Sequence, residues 1–177
     1  GFGQLLAENS TLLSLNFAEN PAADCGLMAL NLERNRTLTS LILDGGGGGG
    51  RKVMWALQRN RGLKRLELTN FIMDEDAAYN LNNALKRNNT LQELLYPAKG
   101  AAQCPTRFLE RMIVGLKQNI TLTTLSLSGQ PVGSLLPALA ESMRLCPIAS
   151  LDLSRTGLGH HPAAIPTLCE VLRTNTR

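Results

Sequence analysis

Asn35-Arg36-Thr37-Leu38-Thr39-Ser40-Leu41-Ile42-Leu43 is the stretch that decides the architecture, because its pattern, Asn-x-Thr-Leu-x-x-Leu-x-Leu, returns along the chain. Upstream lies Asn9 with Thr11, Leu12, Leu15 and Phe17. Downstream come Asn60 with Leu63, Leu66 and Leu68, then Asn88 with Thr90, Leu91, Leu94 and Tyr96, then Asn119 with Thr121, Leu122, Leu125 and Leu127. A weaker sixth copy is Ile148, Leu151 and Leu153. The first apolar anchors, at 12, 38, 63, 91, 122 and 148, are 26, 25, 28, 31 and 26 residues apart. Self-similarity at such a period marks a stacked-repeat architecture, in which each unit buries its apolar face against its neighbours.

Within each copy the Leu-x-x-Leu-x-Leu stretch alternates apolar and polar residues at period two, as in a strand buried on one face. Between strands the period becomes helical: Ala77, Ala78, Leu81, Ala84 and Leu85 form one stripe, and Leu109, Met112, Ile113 and Leu116 another. The expected fold is α/β, a leucine-rich repeat horseshoe solenoid of about six repeats with a parallel concave sheet and convex helices. Residues 1–177 read as a single domain. Both ends break inside a repeat, at Leu5–Asn9 and at Leu168–Arg177, so the chain reads as a piece of a longer array.

The recurring asparagines fall where a helix stops and the chain turns back into a strand, a place calling for a residue that tolerates left-handed backbone. Asn9, Asn35, Asn88 and Asn119 also form Asn-x-Thr sequons. The structural role covers those four and Asn60, which has no sequon, so glycosylation is not needed to explain them.

The repeat spacing, paired with full helices, resembles the ribonuclease-inhibitor-like subclass of leucine-rich repeats over nearly the whole chain. That subclass occurs in ribonuclease inhibitor, in the sensing arms of NLR immune receptors and in bacterial effectors delivered into host cells. The resemblance implies a cytoplasmic protein, in the host cytoplasm for an effector. The subclass expects Asn or Cys three positions after the last strand apolar residue. Here only Asn20 fits, the others being Gly46, Phe71, Lys99, Gln130 and Thr156. An incomplete hydrogen-bond ladder along that edge is the consequence.

Six glycines, Gly45–Gly50, follow Asp44. A phosphate-binding loop would end in Gly-Lys-Ser/Thr, whereas this run leads into Arg51-Lys52-Val53. It reads as a low-complexity insert that delays the next helix until near Arg51 and makes the array weakest there.

Composition narrows the functions. Aromatic residues are 4% of the chain, too few for a base-stacking face, and no apolar run approaches the length of a membrane span. Cys25, Cys104, Cys146 and Cys169 form no Cys-x-x-Cys pair, so they read as reduced, mostly structural thiols. His160-His161 sit in a loop with no acid or thiol beside them in sequence. The cations Arg34, Arg36, Arg59, Arg61, Arg87, Arg111, Arg144 and Arg173 are dispersed over successive repeats, many at helix ends where they favour the dipole. No catalytic residue, metal site, cofactor, nucleic acid or small-molecule substrate is expected.

Alternation places three residues of each strand on the face away from the helices: Ser14, Asn16, Ala18; Ser40, Ile42, Asp44; Arg65, Glu67, Thr69; Glu93, Leu95, Pro97; Thr124, Ser126, Ser128; Ser150, Asp152, Ser154. Four acids and one base leave this face at −3 against +4 for the chain, so the remainder carries +7. The expected function is a non-enzymatic protein–protein interaction module, part of a larger intracellular protein. Its partner, of unknown identity, would meet Ile42, Arg65, Glu67, Glu93, Leu95, Ser126 and Asp152. The alternative is the substrate-recognition arm of an effector enzyme, such as a ubiquitin ligase, with its catalytic domain outside this chain.

Overall fold

The computed structural model describes residues 2–20, 25–45, 49–71, 73–98 and 103–174; Gly46–Gly48, Lys99 and Asn175–Arg177, singled out above, lie outside them. Six strands, β1 (Ser14–Phe17), β2 (Ser40–Asp44), β3 (Arg65–Thr69), β4 (Glu93–Leu95), β5 (Thr124–Ser126) and β6 (Ser150–Asp152), form one sheet. All neighbours are parallel and the spatial order is the chain order. Between them run the helices α2 (Cys25–Leu32), α3 (Gly50–Leu57), α4 (Glu75–Arg87), α5 (Thr106–Leu116) and α6 (Leu136–Met143), with α1 (Phe2–Glu8) before the first strand and α7 (Ala164–Thr174) after the last.

The repeat anchors stack. Leu41, Leu66, Leu94, Leu125 and Leu151 are successive register partners, and the first four of these are buried. They share one apolar core with the helical stripes Ala77, Ala78, Leu81, Ala84, Leu85 and Leu109, Met112, Ile113, Leu116. The period-two and period-3.6 patterns therefore meet face to face. The terminal copies bury less: Leu12 is 39% exposed, and Leu151 and Leu153 are only partly buried.

The asparagines do more than stop helices. Asn60 Nδ2 donates to the carbonyls of Leu32 (2.7 Å) and Asn35 (3.1 Å), while its Oδ1 accepts from the backbone N–H of Gly62 and Leu63. Asn35 reaches Leu6 and Asn9 in the same way, Asn88 reaches Leu57 and Asn60, and Asn119 reaches Leu85. Each side chain thus ties its own turn to the preceding unit. Left-handed backbone is not the reason for asparagine: Asn88 is extended (φ −80°, ψ 122°), and the described non-glycine residues with positive φ are Glu19, Asn70 and Arg155. Asn35, Asn88 and Asn119 are buried with their amide nitrogens bonded to carbonyls, so this fold has no room for a glycan on them.

At the opposite end of the strands, the expected gaps in the subclass ladder are filled by other chemistry. Gln130 donates through Nε2 to the Tyr96 carbonyl (3.0 Å) and accepts from the Cys104 N–H (3.0 Å). Tyr96 Oη donates to the Phe71 carbonyl, and Thr156 Oγ1 to that of Leu153. Asn20, the residue that fits the expected pattern, donates instead to its own turn at Ala18.

The ends of the glycine run are packed rather than loose. The Gly45 N–H donates to the Thr69 carbonyl (2.9 Å), and a Cβ there would lie 2.8 Å from Phe71 Cα. Gly49 has φ +89°, and a Cβ on it would meet the Gly26 backbone nitrogen at 2.9 Å. Helix α3 begins at Gly50, one residue before Arg51.

Two measurements follow from this packing. Leu94→Ala removes a side chain that is 2% exposed, and urea unfolding should show a loss of about 2–5 kcal/mol. Asn60→Ala leaves two carbonyls and two N–H groups without their partner, at roughly 1–3 kcal/mol for each buried group left unsatisfied. Asn60→Asp keeps the accepting oxygen but sets a buried carboxylate against the Leu32 and Asn35 carbonyls, so at neutral pH it should lose at least as much as Asn60→Ala, while Asn9→Ala, at an exposed position, should barely change the midpoint.

Candidate functional site: the sheet face opposite the helices

Pairing assembles the face from its rows. Ser14, Ser40, Arg65, Glu93, Thr124 and Ser150 are successive register partners, as are Asn16, Ile42, Glu67, Leu95, Ser126 and Asp152. Ile42, Arg65, Glu67, Glu93, Leu95, Ser126 and Asp152 therefore lie on one continuous surface spanning β2 to β6. Ile42 and Leu95 are half-buried and flank Glu67 on its two neighbouring strands.

The charge pattern differs from a row of free acids. Arg65 stands beside Glu93 across the β3–β4 pair and two residues from Glu67 on its own strand. Its Nη1 donates to Glu93 Oε2 at 2.7 Å and its Nη2 to Glu67 Oε2 at 2.9 Å. One guanidinium spans both carboxylates, which orients all three side chains; exposed pairs of this kind each contribute about 0–1 kcal/mol to stability. The trio carries −1.

Asp44 is a correction. It belongs to the same sheet register but is 5% exposed, and its two oxygens accept from Asn70 Nδ2 at 3.1 and 2.9 Å. Left-handed Asn70, at φ 56°, places that amide over the strand end. With Asp44 covered, the exposed acids of the face are Glu67, Glu93 and Asp152, against Arg65. Ser126 is also largely covered, donating to Asp152 Oδ2 at 2.8 Å.

Asp152 is a charged member of the face without an ion-pair partner within 4 Å among the described residues. The Ser154 backbone N–H, donating to Oδ1 at 2.9 Å, does most to hold its carboxyl below the usual range, with the Ser154 and Ser126 side chains and the nearby Arg155 charge adding to it. Arg155, missed in the sequence, has φ 58° and donates from Nη2 to Ser128 Oγ at 3.1 Å. Its preceding strand signal was visible, but its turn conformation was not.

The remaining reactive groups do not converge on this face. Cys104 and Cys146 are buried thiols, and buried Cys25 donates from Sγ to the Asp44 carbonyl at 3.4 Å. Burial pushes the Cys104 thiol up to about 12, so it is protonated at neutral pH. His160 lies in a short 3₁₀ turn, Leu158–His160, rather than an irregular loop. Among the described residues no three His, Cys, Asp or Glu side chains gather as a metal site, and no helix is long and apolar enough to cross a membrane. The dispersed arginines take separate local roles: Arg61 donates to the Gln58 and Asn60 carbonyls at the end of α3, and Arg59 lies over the Trp55 ring at 4.8 Å and pairs with Glu33.

A carboxyl held low by its hydrogen bonds stabilises the fold above its unfolded pKa and loses that contribution as pH falls through the lowered folded value. Asp152→Asn should therefore be less stable than wild type at neutral pH. The deficit should hold down to about pH 5 and shrink as the pH drops below the ordinary aspartate value of about 3.9, in thermal melts across that range.

No family model and no curated protein matches this chain. Among solved structures, actin-binding site 2 of leiomodin-1 is similar over 98% of this chain and 86% of its own length, with a TM-score of 0.65 and 17% identity. The C-terminal domain of tropomodulin from Caenorhabditis elegans is similar over 98% of this chain and 90% of its own, with a TM-score of 0.59 and 11% identity. At these identities the likeness is one of fold, and that fold is of the leucine-rich repeat type.

Proposed function

We propose that this chain is a non-enzymatic protein-interaction module that takes its partner on the sheet face opposite the helices, as one horseshoe-shaped array of about six repeats. The observation that carries the reading is the unbroken second row, Asn16, Ile42, Glu67, Leu95, Ser126 and Asp152, held in register across all six strands. Two apolar side chains flank a clamped ionic trio at its centre, an arrangement suited to an interface core with a polar surround. Since Arg65 neutralises much of the local charge, Leu95 and Ile42 supply contact area and the trio supplies orientation and selectivity.

The actin-binding role of leiomodin-1's domain supports a protein partner rather than a small substrate and makes actin the first partner to test. The ribonuclease-inhibitor-like subclass, with its receptor and effector owners and a ligase arm, gains no support from either neighbour.

Actin co-sedimentation and monomer-binding assays, followed by affinity capture with crosslinking where actin does not bind, will identify the partner. Leu95→Ala should then speed dissociation by about tenfold, and Glu67→Lys, which sets two cations side by side, should slow association and change its salt dependence. Charge reversal at Arg87 and Arg111, on the helical side, should alter binding by less than about twofold. Binding that survives the two sheet-face changes and fails on the helical ones would overturn the proposal.

A further inference from the structure

A second surface lies beyond the C-terminal ends of the strands, where the chain leaves β5 and β6 for the next helices. There a groove of about 400 Å³ opens between Gln103 and Thr106 at the start of α5, Ser134 in the 3₁₀ turn Gly133–Leu135, and Arg155, His160 and His161 after β6. Its size falls in the range of ligand sites and exceeds what a single small ion fills.

Three features give the groove one chemical preference. Its charged or chargeable lining is Arg155 and two imidazoles, and no carboxylate lines it among the described residues. The nearest acid in sequence to Arg155, Asp152, attracts it but already accepts from Ser154 and Ser126. The neutral lining residues Gln103, Thr106 and Ser134 carry N–H or O–H donors.

Two of these side chains are also held in place. Arg155 sits in a left-handed turn and is anchored by the bond from Nη2 to Ser128 Oγ. Half-buried His161 lies against the 3₁₀ turn so closely that a Cβ on Gly133 would stand 2.0 Å from its Cδ2. Only glycine at 133 leaves the ring where it is. A positioned guanidinium, two imidazoles and hydroxyl and amide donors around an open groove recognise carboxylates, and a groove of about 400 Å³ takes a few residues of chain rather than a free anion.

We propose that the groove between Thr106, Ser134, Arg155 and the His160–His161 pair binds an acidic peptide segment. This goes beyond the sheet-face reading and does not need it, because the groove has its own lining and its own charge.

A fluorescently labelled octapeptide of aspartate and glutamate should bind saturably, weaken as salt is raised, and outcompete a Gly-Ser octapeptide of the same length. Arg155→Gln should weaken it by about tenfold and Gly133→Ala, which displaces the His161 ring, by several-fold, whereas Arg111→Gln on the outer face of α5 should change it less than about twofold. Thermal melts of each variant separate loss of binding from loss of fold, and Leu95→Ala should leave peptide binding intact even where it weakens partner binding. The proposal is overturned by equal binding of the neutral peptide, by absence of saturable binding, or by folded Arg155→Gln and Gly133→Ala proteins that bind as wild type.

Discussion

A parallel sheet in chain order forces every crossover to end a helix and restart a strand at the same place, leaving carbonyls at the helix end and N–H groups at the strand entry. The buried asparagines solve both halves at once. In Asn60 one amide nitrogen serves two carbonyls of the preceding unit and one oxygen serves two N–H groups of its own turn. Aspartate could supply only the second half at neutral pH, and alanine neither. Stacking fixes how far one unit sits from the next, so the register of the whole sheet face depends on these side chains as much as on the leucines.

That dependence explains which parts of the fold could be read in advance. Leu41, Leu66, Leu94 and Leu125 are both the period-two signal and the buried register partners, so alternation alone gives the correct face for each strand. The helical stripes at 77–85 and 109–116 were legible for the same reason. What asparagine does was only half legible. Its place at the helix end could be read, but the extended backbone of Asn88 and the bonds to residues some 25 to 34 positions earlier could not, because nothing local in the sequence says where that carbonyl will be.

The candidate site divides along similar lines. Membership of Ile42, Arg65, Glu67, Glu93, Leu95, Ser126 and Asp152 in one face followed from alternation, and the register agrees. Their electrostatics did not. Counting acids treated Glu67 and Glu93 as free, whereas β3–β4 pairing puts Arg65 within reach of both. Counting also left Asp44 in solvent, whereas Asn70, in a conformation no residue type dictates, covers it. Formal charge is additive along a sequence; exposed charge depends on who stands opposite.

The strand exits behave differently from the strand entries. At the entries to β2, β3, β4 and β5 the same asparagine chemistry recurs, so these units repeat one another; at the exits Gly45 against Phe71, Tyr96 on the Phe71 carbonyl and Gln130 between Tyr96 and Cys104 are three separate solutions. A repeat that must stack cannot vary the positions that set its spacing without losing its neighbour, and so individuality is confined to positions the stack leaves free. The exposed middle of each strand is one such place and the exit loops are the other. The groove holding Arg155, His160 and His161 arises at the exits because those loops may differ in length and turn type from unit to unit. A surface assembled from non-equivalent loops can present donors and cations in an arrangement that occurs once, while the sheet face, bound to its register, can only present rows.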